Sequence, residues 1–196
     1  MTPLRTLSPW VQHCQKWGNG CGHELCSRVT KVVLGRGTTP AEVVFIGEAP
    51  GSSEDVIGLP FQGPAGHLLD SIIKRSLPPE VKYAITNLVG CLPLNENNQK
   101  DEPDPDQIKQ CRPRLEEFVR IANPRLIVTV GSLADKWTQK GYKDSPKLPD
   151  VPIITITHPA AVIRSPQAAQ GLMTKKCIVT IAQAWSKVND STRTTK

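Results

Sequence analysis

Glu42-Val-Val-Phe-Ile-Gly47 decides the architecture. It is a short apolar run that ends on glycine, the pattern of a buried strand entering a loop. Three further stretches read the same way: Lys82 to Val89, Arg125-Leu-Ile-Val-Thr-Val-Gly131, and Pro152 to Thr157, which runs into His158. Between them lie stretches of helical period. Ala65, Leu68, Leu69, Ile72 and Ile73 share one face of Pro64 to Leu77, and proline is tolerated in a first helical turn. Ile108, Cys111, Leu115 and Phe118 do the same in Asp106 to Ile121, and a last helix is expected over Ala168 to Val188. Ser132 is placed as a helix N-cap. Leu92 to Asp106, rich in Pro, Asn and Asp, is expected as a surface loop. Strands alternating with helices imply a parallel sheet covered on both faces. The expected fold class is α/β: a single three-layer α/β/α domain over residues 1–188, with a central four-stranded parallel sheet. The stretch before about Val29 is expected to be irregular, and residues 189–196 a frayed polar tail.

The bulk numbers narrow the function. Lys and Arg number 24 against 18 Asp and Glu, a net charge of +6. Such an excess suits a nucleic-acid partner, because basic groups release counterions from phosphates, although a solvated basic surface has the same composition. No apolar run approaches the roughly 20 residues of a membrane helix, and Met1 to Pro9 has no apolar signal core. The chain is therefore expected in the cytoplasm or another reducing compartment, without a membrane partner. Its six cysteines then ask for a metal, a redox role or burial rather than disulfides.

In a parallel sheet, ligands sit beyond the carboxyl ends of the strands. That rule collects Gly47-Glu48, Asn87 and His158 at one crevice. The loop from Gly47 to Gly66 holds glycines, the carboxylates Glu48, Glu54 and Asp55, and one aromatic, Phe61. It lacks the lysine of a P-loop, which excludes a nucleoside triphosphatase. A flat ring beside hydrogen-bonding groups suits a planar heterocycle; a structural turn with Phe61 in the core is the alternative.

Gly47-Glu-Ala-Pro-Gly51, Glu54-Asp55, Gly58-Leu-Pro-Phe-Gln-Gly63 and Ala65-Gly-His-Leu-Leu-Asp70 resemble the first signature of the iron–sulfur uracil-DNA glycosylases of family 4, with relatives in family 5. Ile85-Thr-Asn87-Leu-Val-Gly-Cys91 and Thr157-His-Pro-Ala-Ala-Val-Ile-Arg164 resemble the second and third, in the same order. The resemblance covers about residues 14 to 166. It implies a monofunctional DNA N-glycosylase of base excision repair, which hydrolyses the bond between uracil and deoxyribose and leaves an abasic site. Its partner would be uracil-containing DNA, single- or double-stranded. It further implies that Phe61 stacks on the extruded base, that Asn87 reads the uracil edge, and that His158 stands near O2. Glu54 would crowd the position of a thymine methyl. Gly47, Glu48 and Ala49 would lie beside the base and the attacking water, and Arg164 would probe the duplex. Ala49 stands where the best-known glycosylase families carry a general-base aspartate, so leaving-group stabilisation is expected to outweigh water activation. No amine nucleophile stands in the motifs, hence the monofunctional reading. The alternative is a binding protein of the same fold that recognises damaged or single-stranded DNA without cutting it. A monomer is the default.

The resemblance also implies a [4Fe-4S] cluster, with zinc as the alternative metal. Cys91 and Cys111 match the two later ligands. The family's N-terminal pair is closely spaced, and this chain offers Cys14, Cys21 and Cys26. The context Cys21-Gly-His-Glu-Leu25 favours Cys14 with Cys21; the shorter closure favours Cys21 with Cys26. Four of these five are expected as ligands, and Cys177 as core. His13 and His23 lie close by and would serve a zinc site. Gln62 and Pro64 depart from the family pattern around Phe61, and the loop from Leu92 to Gln110 is longer than the family's and lacks its usual arginine.

Overall fold

Val43–Gly47 forms β2, and each of its residues is buried. Arg36–Gly37 is β1, Tyr83–Asn87 β3, Leu126–Val130 β4 and Ile153–Ile156 β5. The helices are α1 (Pro9–Trp17), α2 (Ser52–Ile57), α3 (Pro64–Ser76), α4 (Pro105–Ala122), α5 (Ser132–Asp144), α6 (Pro159–Arg164) and α7 (Gln167–Arg193), with a 3₁₀ turn at Glu24–Ser27. The structure, a computed structural model, describes residues 7–144 and 150–193. The strands form one five-stranded sheet in the order β1-β3-β2-β4-β5. β2 runs parallel to β3, with Gly47 opposite Asn87, and parallel to β4; β5 runs parallel to β4.

Side chains of a strand alternate between faces. Val43 and Phe45 therefore join one core with Leu69, Ile72 and Ile73 of α3 and Ile181 and Trp185 of α7. Val44 and Ile46 join the opposite core with Ile108, Leu115 and Phe118 of α4. Both faces are covered, as the uninterrupted apolar run required. α4 starts where Asp104 accepts the N–H groups of Asp106 and Gln107, each at 2.8 Å, while Gln107 accepts that of Asp104 at 3.3 Å. It ends at Asn123, in the left-handed region at φ 50° and followed by proline. Among the described residues no helix is long and apolar enough to cross a membrane.

Four details differ from the sequence reading. The sheet has a fifth strand, β1, antiparallel to β3 at the edge; a two-residue strand has no periodicity to read. The loop after β2 contains α2, whose glycine-bounded residues Ser52–Ile57 include exposed Val56 and Ile57 and so carry no core stripe. The N-terminal segment is not irregular: Pro9–Trp17 is helical, and the Ser8 hydroxyl accepts the N–H of Val11 at 3.3 Å. The tail expected from Asn189 is helical as far as Arg193, because α7 continues on a polar exposed surface; residues 194–196 lie outside the described ones.

Candidate active site

A cleft of about 540 Å³ opens where β2, β4 and β5 end. Its walls include Glu48, Glu54, Phe61, Lys100, His158 and Arg164. Gly47, at the end of β2, lies behind the Phe61 wall. A Cβ there would come within 2.4 Å of Asn87 Oδ1 and 2.6 Å of the Phe61 ring, so only glycine lets the two approach each other. Asn87 is 2% exposed, and its Oδ1 accepts no hydrogen bond from the described residues. An unpaired buried acceptor is unfavourable unless a ligand supplies the donor.

Phe61 is held at φ 55°, an uncommon conformation for a bulky residue. Glu54 supports it. Its Oε2 accepts the Gly51 N–H at 3.0 Å, and its Oε1 those of Gln62 at 2.9 Å and Gly63 at 3.4 Å. Glu54 thus ties the turn after β2 to the two residues that follow Phe61, besides lining the cleft. The Phe61 ring lies 6.0 Å from that of His158, with 29° between their planes.

His158 caps α6: its Nδ1 accepts the Ala160 N–H at 3.1 Å. The neutral ring must then carry its proton on Nε2. Burial first, then the nearby charges of Arg164 and Lys100, hold the imidazole pKa below its ordinary 6.5. The ring is a neutral donor at neutral pH. Burial and the neighbouring Glu102 push the Glu48 carboxyl above its ordinary range, and Lys100 opposes them. Ala49 lies beside Glu48 in the wall with no group to take a proton.

Lys100 and Glu102 also line this cleft. Sequence reading placed neither there, because their loop has no periodicity; the Leu94–Lys100 bridge folds it back. Gly131, Ser132 and Leu133, at the start of α5, complete the far wall.

The cysteines separate cleanly. Cys26 Sγ lies 3.2 Å from Cys91 Sγ and 3.7 Å from Cys21 Sγ. The Cys21 thiol interacts with the neighbouring Cys111. Cys111 Sγ accepts the Gly90 N–H and the Arg114 Nε–H, each at 3.3 Å. The neighbouring Cys21 thiol holds the Cys111 pKa below its ordinary value against the effect of burial, and the Arg114 charge helps. Cys14 takes no part in these sulfur contacts among the described residues, and burial alone raises its pKa. Cys177, on α7, packs in the core with Ile156 of β5. Of the two histidines near the cysteines, His13 bonds Glu117 at 3.0 Å and His23 caps the 3₁₀ turn. The sulfurs of Cys21, Cys26 and Cys91 therefore lie in one chain of contacts, with Cys111 beside them. Such soft ligands, with N–H groups directed at one of them, suit an iron–sulfur cluster or zinc. Arg114 was not singled out in the sequence. The available signal was its position three residues after Cys111, on the same helical face.

Residues 34–185 match the family model of the uracil DNA glycosylase superfamily. The type-4 uracil-DNA glycosylase of Sulfurisphaera tokodaii is 35% identical over 70% of this chain and 68% of its own length. That of Saccharolobus solfataricus is 38% identical over 67% of this chain; the match spans 56% of that protein. That of Pyrobaculum aerophilum is 33% identical over 83% of this chain and 86% of its own. The crystal structure of wild-type Pedobacter heparinus SMUG2 superposes with a TM-score of 0.57, covering 76% of each chain at 13% identity.

Proposed function

The chain belongs to the uracil DNA glycosylase superfamily, and on that premise we propose that it is a monofunctional uracil-DNA glycosylase acting on DNA. The observation that carries the reading is the orphaned, buried Asn87 Oδ1 beside the Phe61 ring, which lines a cleft together with His158. Uracil presents the complement. Its N3–H donates to Asn87 Oδ1, its O4 accepts from the Asn87 amide, and its O2 accepts from His158 Nε2–H. Extruding the base from a duplex costs about a few kcal/mol; stacking on Phe61, worth roughly 1–3 kcal/mol per base, offsets part of it. As the N1–C1′ bond breaks, the electron pair stays on uracil and negative charge gathers on O2. A fixed, desolvated donor stabilises that charge more than it stabilises the neutral base. Water adds at C1′ to give the hydroxyl of the abasic site, and its proton neutralises the departing uracil anion. Ala49 has no group to orient that water, so Glu48, in the cleft wall, is assigned to it. Glu54, with its oxygens committed to Gly51, Gln62 and Gly63, holds Phe61 in place and closes the side of the pocket. Arg164, at the rim, is assigned to the DNA strand.

Cys21, Cys26, Cys91 and Cys111 would hold a [4Fe-4S] cluster, with zinc as the alternative. When bound, the group supplies four metal–sulfur bonds that fasten the N-terminal segment, the loop after β3 and α4 to one another. Visible charge-transfer absorption against stoichiometric zinc separates the two. The thiol set suits a reducing compartment. One copy contains every group assigned to the base, so a monomer suffices.

The test is an oligonucleotide with a single U opposite G, incubated with the protein and then treated with alkali. Strand scission at U, seen only after alkali, is expected. Scission without alkali would make Lys100 a Schiff-base amine and the enzyme a lyase. Binding without scission would make it the non-cleaving DNA-binding protein, and neither would overturn the reading altogether.

A further inference from the structure

Arg114 touches no base-facing surface, yet it heads the fully buried side chains at 0% exposure. A guanidinium has five N–H bonds to satisfy, and here each has its partner. Nε donates to Cys111 Sγ at 3.3 Å. Nη1 donates to the Leu34 carbonyl at 3.2 Å and to Thr86 Oγ1 at 3.1 Å. Nη2 donates to the carbonyls of Asn87 at 2.5 Å and Leu88 at 3.2 Å. None of these acceptors is a carboxylate. Arginine stays charged when buried, and a buried charge without a counter-charge is strongly unfavourable. Within this cage only the Cys111 sulfur can be an anion. The guanidinium also holds the backbone carbonyl of Asn87, the last residue of β3, whose unpartnered Oδ1 lies beside the cleft-lining Phe61 ring.

We infer that Arg114 is a positioning residue that couples the thiolate site to the base pocket. Cys111, as a metal-bound thiolate, supplies the counter-charge that anchors the guanidinium. The guanidinium in turn fixes the Asn87 carbonyl, and with it the direction of the carboxamide. The inference rests on the roles given above to Asn87 and to the cysteine quartet. A lysine at this position would keep the charge on a compact head with three donors. It cannot span from the sulfur to the Asn87 carbonyl while serving Leu34, Thr86 and Leu88 as well.

The experiment uses R114K with its bound metal quantified. Free uracil is titrated against it, and metal loss to a chelator is followed in parallel. The metal-loaded variant is expected to bind uracil about 5–150-fold more weakly, the range of a typical coupling between two sites. Coupling is reciprocal. In the unsubstituted holoenzyme, saturating uracil should therefore slow metal loss, and in R114K that protection should vanish. Unchanged uracil affinity in metal-loaded R114K overturns the inference. So does a rate of metal loss in the unsubstituted protein that is indifferent to uracil, which decides the matter even if R114K does not fold. N87A is run alongside. If N87A excises uracil normally, the reading of the base pocket has failed. If N87A is inactive while R114K binds uracil like the parent, only the coupling has failed.

Discussion

His158 shows how one backbone bond selects a chemical role. Because Ala160 donates to Nδ1, the neutral ring has its proton on Nε2 and is a donor toward the cleft. Because burial and two nearby cations disfavour the imidazolium, the ring stays neutral as pH falls toward 6.5. A lowered pKa means the useful form persists to lower pH, so turnover should be flat around neutrality and fall only below 6.5 on acidification. Replacing His158 by alanine should lower kcat by about 10²–10³-fold, the usual loss of a preorganised donor, and should remove that limb. Single-turnover rates across pH check both; near-normal turnover in H158A would show that the donor does not carry the leaving group. The identity and position of His158 were legible from its place at a strand end. Its tautomer was not, because that depends on the start of α6, which no periodicity announces.

At the scale of elements, the pocket is made by ends. β2 delivers Gly47 and Glu48, β3 delivers Asn87, β5 delivers His158, and the start of α3 supports Phe61. Gly66, in the first turn of α3, is the tightest of these joints. A Cβ on Gly66 would lie 1.9 Å from the Phe61 carbonyl oxygen, which is backbone and cannot swing aside. G66A should therefore push Phe61 away from the base and destabilise the fold by about 1–3 kcal/mol. Urea denaturation reads the second effect and the KM for uracil-containing DNA the first; an unchanged KM would show that Phe61 does not depend on this contact. The alternation that separates Val43 and Phe45 from Val44 and Ile46 was plain in the sequence, since it needs only the period of a strand. Helix α2 was not, because glycines bound it and its apolar residues face solvent.

For the whole molecule, the question is which distant segments meet. The thiol quartet draws on the 3₁₀ region, the loop after β3 and α4, which are far apart in the chain. Cys14, on α1, stays out of it. If the quartet holds the proposed metal, C14S should retain the full metal content and melting temperature of the parent, whereas C26S should lose the metal and melt lower, because such binding contributes folding free energy. Metal analysis with thermal melts decides; metal loss in C14S would restore Cys14 to the ligand set. The Lys100 loop is a second case of the same kind. Local composition predicted only a surface loop, and its return to the cleft follows from the Leu94–Lys100 bridge.

The sequence by itself determined the layered α/β plan, because buried strands and amphipathic helices write their periods into consecutive residues. It also collected Gly47, Asn87 and His158, because parallel strands bring their carboxyl ends to one edge. Tertiary structure alone brought the sulfur of Cys26 rather than Cys14 to that of Cys91, and it alone placed Lys100 in the cleft. It made Glu54 a tie for the Phe61 loop, and it joined the Cys111 sulfur to Asn87 through Arg114. Those are contacts between segments with no common period, and their partners are chosen by packing and by the need of every buried N–H for an acceptor.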